Sequence, residues 1–229
     1  SRTIRDPRGL GGVALATVLM RSSNAGMSRI GLSLDSDALW EMMSDFGFGS
    51  YVTDGFPGES RGRLHHHTEW GEIGKATMSY GYGITVTPIQ LAQAYSVIAN
   101  NGLYTPLSLR KGLFNESKRV INEDTAKTLL SMLEKVVEDG TSKKAAVNGY
   151  RVGGKSGTAW KTSGAGGYST DRYRSIFAGI APIDDPRLVA VVFIEEPTGE
   201  FYYGGDVAAP VFSEIISQSL QLLSIPPQG

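Results

Sequence analysis

Lys155-Ser156-Gly157 is the stretch of this sequence whose residue types most directly suggest chemistry. It sits in GYRVGGKSGTAW, residues 149–160, and supports two readings. Gly149 to Ser156 match G-x-x-x-x-G-K-[ST], in which a glycine-rich turn and the N-terminus of the next helix cradle phosphate groups. Lys155 to Gly157 match K-[ST]-G, a triplet used in serine acyl transfer. The phosphate reading needs a buried strand before Gly149 and a helix opening at Lys155. The preceding residues are TSKKAAVN, which is no apolar strand, and GTAWKTSGAGG follows, where glycine opposes a helix. Residues 150–160 are therefore expected as a strand, and the nucleotide reading is set aside.

A second string strengthens the acyl-transfer reading. Ser22-Ser23-Asn24 matches S-x-N and precedes K-S-G, the order these strings take in serine acyl-transfer enzymes that also carry S-x-x-K. Taken singly, Ser22 reads better as a helix cap and Asn24 as a turn residue than as site residues. An S-x-x-K string does occur, Ser108-Leu109-Arg110-Lys111, but it follows S-x-N, and it comes after a helix end and Pro106. In an extended stretch its serine and lysine would not share a helix face. His65-His66-His67 raises the question of a metal. Adjacent side chains on an extended chain alternate in direction, so these three cannot all meet one ion, and a solvated loop is expected.

The elements that must position these residues follow from periodicity and punctuation. Residues 12–34 show helical apolar spacing on both sides of the polar break at Ser22-Ser23-Asn24. A helix is expected over 35–47, capped by Asp35 or Ser36 and stopped by Gly47. Residues 48–75, rich in Gly, Pro and Ser, read as a long ordered loop. Two further helices are expected over 87–102, with Thr87 as cap and Pro88 in the first turn, and over 122–140, with Asn122 as cap. Strands follow at 150–160, 175–182 and 188–196, the last two joined by the turn signal IDDPR. An amphipathic helix over 207–223 closes the chain. Helices first, then a strand meander and a last helix, indicate an α+β architecture.

Composition narrows the classes. The chain has 229 residues, enough to bury a sizeable core. A formal net charge of −1 gives no field that would favour nucleic acid. Cysteine is absent, which excludes disulfides, thiolate catalysis and cysteine metal sites. The longest apolar run, LVAVVFI, is too short to span a bilayer, and SRTIRDPRG does not have the pattern of a signal peptide.

The longer wording carries a resemblance. RSSNAGMSRI, GFPGES, SYGYGITVTPIQLAQAYSVIANNG, GYRVGGKSGTAWK, FAGIAPIDDPRLVAVVFIEEP and YYGGDVAAPVF together resemble class B penicillin-binding proteins, most nearly the septal D,D-transpeptidases of Gram-negative bacteria. The resemblance runs over essentially the whole chain, in order. It implies a penicillin-binding/β-lactamase-like fold, an antiparallel sheet with flanking helices plus an all-helical half. Residues 1–229 would be the C-terminal part of one transpeptidase domain, the helical half at about 10–148 and the strand-rich half with its helix at about 149–225.

The activity implied is cross-linking of peptidoglycan stem peptides ending in D-Ala-D-Ala through a serine acyl-enzyme, with β-lactams as inhibitors. By resemblance Ser22 relays a proton toward the leaving nitrogen, and Asn24 holds the substrate amide carbonyl and the catalytic lysine. Lys155 steadies the Ser22 hydroxyl and draws in the substrate carboxylate, which Ser156 and Thr158 then bind. Gly157 leaves room for a peptide to add as a strand, and the Thr158 N–H is one oxyanion donor. Tyr173, Phe177, Tyr202 and Tyr203 would wall the cleft, core packing being the competing reading for them. Trp160 stands where relatives often carry Lys or Arg. The S-x-x-K nucleophile and base are expected upstream of this chain, together with the early strands and an N-terminal membrane anchor. No cofactor or metal is implied. The expected partners are division proteins and a glycosyltransferase, at the periplasmic face of the inner membrane. Two other readings stay open: a D,D-carboxypeptidase or β-lactamase-like hydrolase, and a non-catalytic interaction module of the division machinery.

Overall fold

The structure, a computed structural model, describes residues 3–53, 55–112, 116–162 and 167–227. By backbone proximity the chain divides into two compact units, residues 1–126 and 127–229.

The first unit is largely helical. Helices α1 (Leu15–Met20) and α2 (Asn24–Ser33) flank the Ser22-Ser23 junction, and α3 (Ser36–Asp45) follows at once. The expected stop at Gly47 is present as a glycine at φ +96°, a conformation other residues adopt only with strain. The segment read as a loop over 48–75 needs correction at its far end. A 3-10 turn forms at His67–Glu69, and helix α4 runs over Glu72–Met78. That helix was hidden because it is short and carries Gly74, but it packs on α2, where the Ser28 hydroxyl lies 3.3 Å from the Ala76 carbonyl. Tertiary packing overrides weak propensity here.

One buried side chain ties two distant parts of the remaining loop together. Gln90 of α5 (Pro88–Ala99) is fully buried and donates to the carbonyls of Ser50 (2.9 Å) and Arg61 (2.8 Å). Its Oε1 accepts from the Thr87 N–H, and the Thr87 hydroxyl accepts from the Gln90 N–H, which completes a capping box. A short antiparallel pair, β1 (Leu103–Tyr104) and β2 (Lys118–Arg119), was too brief to read from sequence. Helix α6 (Glu123–Glu138) begins where Asn122 caps the Thr125 N–H at 2.7 Å.

The second unit is built on a three-stranded antiparallel sheet in the order β3-β4-β5. Strand β3 spans Gly153–Thr162, β4 Tyr168–Ala181 and β5 Leu188–Glu195. No helix starts at Lys155, so the phosphate-loop reading stays excluded. Strand β4 begins seven residues earlier than expected. Its extension, YSTDRYR, is too polar for a core pattern, and it is held by ladder pairing to β3 up to Thr162↔Tyr168. The closing helix is interrupted: α7 (Gly204–Val207) and α8 (Ala209–Leu222) meet at Ala208, with a proline in the first turn of α8. Alternation along α8 puts Phe212, Ile216 and Leu220 in a core with Phe177, Val137, Val152 and Val192.

The two faces of α8 differ sharply. Phe212 is fully buried and packs on Phe177, whereas Val211 is 41% exposed. Phe212→Ala should lower unfolding free energy by about 3–5 kcal/mol, and Val211→Ala by less than about 1 kcal/mol. Urea denaturation followed by circular dichroism reads both.

Candidate active site

In the first unit, Ser22 lies at the tightest point of the α1–α2 junction. Its N–H bonds the Leu19 carbonyl (3.1 Å), the Ser23 N–H bonds the Val18 carbonyl (3.0 Å), and Ser22 itself sits at φ +54°. This is a Schellman ending with serine in the left-handed position usually given to glycine. Ser23, not Ser22, caps α2, accepting from the Gly26 N–H at 2.9 Å. Asn24 is then the first residue of α2, so neither the cap reading of Ser22 nor the turn reading of Asn24 describes the site. A strained non-glycine residue held by its surroundings is a feature that clusters at functional sites.

In the second unit, β3 carries the K-S-G triplet along one edge of the sheet. Strand alternation assigns Lys155 and Gly157 to one face, and Ser156, Thr158 and Trp160 to the other. Lys155 is half-buried, and its Nζ donates to the Ser156 carbonyl at 2.9 Å. Loss of hydration lowers its ammonium to a pKa of about 8. A Cβ built on Gly157 would meet nothing nearer than 3.9 Å, so this position is open to an approaching chain.

On the opposite face the hydroxyls are engaged by the protein. Thr158 Oγ1 accepts from the Gly204 N–H at 2.9 Å, which leaves its proton for a ligand. Ser156 Oγ lies 3.4 Å from Thr141 Oγ1. The closeness of α7 here requires glycine: a Cβ on Gly204 would fall 2.4 Å from the Gly157 carbonyl oxygen. Thr141 and Gly204 were missed in the sequence, where only the paired glycines after Tyr202-Tyr203 hinted at a close approach.

Three of the four predicted aromatic residues form one row. Tyr173 stacks on Tyr202 with centroids 4.0 Å apart, and Tyr202 meets Tyr203 at 4.4 Å, donating to its hydroxyl at 3.1 Å. Trp160 extends the row from β3, 4.7 Å from Tyr173, its direct cross-strand partner. Phe177 is a correction. It is fully buried, packed on Phe212, and so belongs to the core and not to a cleft wall.

The two remaining sequence candidates resolve separately. Ser108 and Lys111 lie in non-helical chain, with the Ser108 hydroxyl accepting from the Arg110 N–H at 3.0 Å. Among the three histidines, His65 pairs with Glu69 and the rings of His66 and His67 lie 4.3 Å apart.

The first unit thus carries a strained S-x-N junction and the second an edge strand with K-S-G, the two strings that carried the resemblance. The family comparison agrees: residues 2–217 match the penicillin binding protein transpeptidase domain, and the chain belongs to that family. It is 44% identical, over 99% of its length, to the probable peptidoglycan D,D-transpeptidase PbpC of Pseudomonas aeruginosa. It is 39% identical, again over 99%, to the peptidoglycan D,D-transpeptidase FtsI of Escherichia coli K12. The chain spans about 40% of the length of these curated relatives. Its fold is similar to the apo transpeptidase domain of penicillin-binding protein 3 from Burkholderia pseudomallei, with a TM-score of 0.91 and 42% identity. That match covers 98% of this chain and 69% of the other.

Burial of Lys155 has a measurable consequence. Below pH 8 the folded protein carries the desolvated charge. Between pH 8 and the ordinary lysine range near 10.5 the unfolded chain binds more protons, so stability rises with pH. Lys155→Met removes the group. The melting-temperature advantage of Lys155→Met over the parent should be largest below pH 8 and shrink from pH 8 to 10, as measured by differential scanning fluorimetry across that range.

Proposed function

We propose that the chain is part of a peptidoglycan D,D-transpeptidase of septal wall synthesis, and that Ser22, Asn24 and Lys155 serve its acyl transfer. The reading rests on one observation above others: K-S-G lies on an edge strand whose glycine is open, not at a helix start. A stem peptide can add alongside β3 as a further strand, with its terminal carboxylate at the Ser156 and Thr158 hydroxyls and the Lys155 charge drawing it in. Relatives named as peptidoglycan D,D-transpeptidases, FtsI and PenA among them, support the wall-building role.

The nucleophile is assigned to a serine of an S-x-x-K string outside these residues. Its oxygen attacks the carbonyl of the penultimate D-Ala and loses its proton to the neighbouring lysine. The tetrahedral oxyanion is held by the Thr158 N–H and the N–H of that serine. Ser22 passes a proton to the departing D-Ala amine as the C–N bond breaks, leaving an ester to the enzyme. The amine of a second stem peptide then attacks this ester, and the serine is regenerated. A β-lactam enters the same path, but its leaving nitrogen stays tethered. The partial transpeptidase domain would act at the periplasmic face of the inner membrane, with division proteins and a glycosyltransferase as partners.

Covalent labelling tests this. The full-length protein should take up one fluorescent penicillin, while the 229-residue chain alone takes up none. In the full-length protein Lys155→Ala removes charge steering and a charge-assisted bond worth roughly 2–4 kcal/mol, slowing acylation about 30- to 1000-fold. A stoichiometric adduct on the isolated chain, found by intact mass spectrometry, would overturn the assignment of the nucleophile.

A further inference from the structure

The junction at Ser22 is also contacted from outside the two helices it joins. Asp6, half-buried and far from the junction in sequence, reaches it with both carboxylate oxygens. Oδ2 accepts from the Ser23 hydroxyl at 2.5 Å and Oδ1 accepts from the Ala25 N–H at 3.1 Å. Ser23 is buried, and its oxygen is already the cap acceptor for the Gly26 N–H, so its one proton is committed to Asp6. The carboxylate also sits at the positive end of α2.

The neighbouring contacts leave the junction little freedom. Gly26 is packed so closely that a Cβ there would lie 2.7 Å from Val18 Cγ1, and Val18 is buried. Ser28 donates to the Asn24 carbonyl at 2.7 Å and lies within 3.3 Å of the Ala76 carbonyl. Residues on each side of Ser22 are thus pinned: Val18 before it, and Ser23, Ala25 and the Asn24 carbonyl after it. Asp6 holds two groups on the α2 side, the Ser23 hydroxyl and the Ala25 N–H, through charge-assisted bonds.

We propose that Asp6 is a positioning residue for acyl transfer: its carboxylate clamps Ser23 and Ala25, and thereby keeps Ser22 left-handed and aims Ser22 and Asn24. The inference rests on the function proposed above, in which Ser22 relays the proton. The chemistry of the clamp demands two acceptors. Asparagine offers one acceptor and one donor, so Asp6→Asn must set an N–H donor against either the Ala25 N–H or the Ser23 hydroxyl. Asp6→Glu keeps both acceptors.

Single-turnover acylation of the full-length protein by fluorescent penicillin tests the clamp, because it separates the rate constant at saturation from apparent affinity and from labelled amplitude. Loss of fold lowers amplitude; a misaimed relay lowers the rate constant. Asp6→Asn should slow the saturated rate about tenfold, with affinity changed less than about threefold and amplitude unchanged. Asp6→Glu should recover most of that loss. Glu59→Gln is the structural control, since Glu59 holds the Val52 and Thr53 N–H groups in the same unit. It should lower the melting temperature but keep the rate constant. A parental rate constant in Asp6→Asn, a loss confined to amplitude, or equal slowing in Glu59→Gln overturns the proposal. Ser22→Ala separates the two levels: parental acylation there overturns the relay function itself, whatever Asp6→Asn does.

Discussion

The second unit depends on one packing constraint, the ring of Phe177 lying where two facing glycines have no side chains. Gly154 on β3 pairs with Gly179 on β4, two residues along from the Ser156↔Phe177 pair and on the same face. A Cβ on Gly154 would fall 2.5 Å from Phe177 Cζ, and a Cβ on Gly179 would fall 2.7 Å from Phe212 Cζ. The aromatic pair therefore occupies space that any other residue at 154 or 179 would fill. This fixes the register of β3 on β4, because a slip of one residue would drive a side chain into the ring and turn every β3 residue to the other face. Lys155, Ser156, Gly157 and Thr158 are presented as they are because Phe177 sits beneath them. Phe177 thus matters to the site through the register and not through contact with a ligand.

The same logic explains the aromatic row. Once the register is set, Trp160 must face Tyr173, and Tyr173 is stacked by Tyr202 from the segment that leads into α7. That segment is tied down twice more, by the Ser175 hydroxyl on the Tyr202 carbonyl and by the Gly204 N–H on Thr158. Ser175 is fully buried, so leaving its hydroxyl unmatched would be costly. The strand bearing the triplet and the Tyr202–Gly204 segment beside it are in this way a single hydrogen-bonded construction.

What the sequence made legible follows physical lines. Long helices with caps were readable because Thr87-Pro88 and Asn122 are local signals for local structure. The strands were readable where apolar residues alternate and not where β4 continues as YSTDRYR, since cross-strand pairing leaves little trace in composition. Helix α4 was invisible for a related reason, its stability coming from packing on α2. Motif residues Ser22, Asn24 and Lys155 were found because their spacing is written in the chain. The contacts of Asp6, Thr141 and Gly204 were not, because they arise only on folding, and no rule of spacing announces that. Phe177 was misplaced because strand alternation could not say which face of the sheet would be covered by α8.

Lys155 shows how narrow the usable burial is. A cation in water is screened and steers little, while a cation fully removed from water gives up its proton. Half-buried on β3, its ammonium is lowered to about 8. At neutral pH the charge is then still carried, in surroundings of lower dielectric where it acts more strongly. Deeper burial would neutralise the group at physiological pH, and greater exposure would dilute its field. The edge of the sheet suits both demands: β4 shields one side of the strand, and the position at Gly157 is left open.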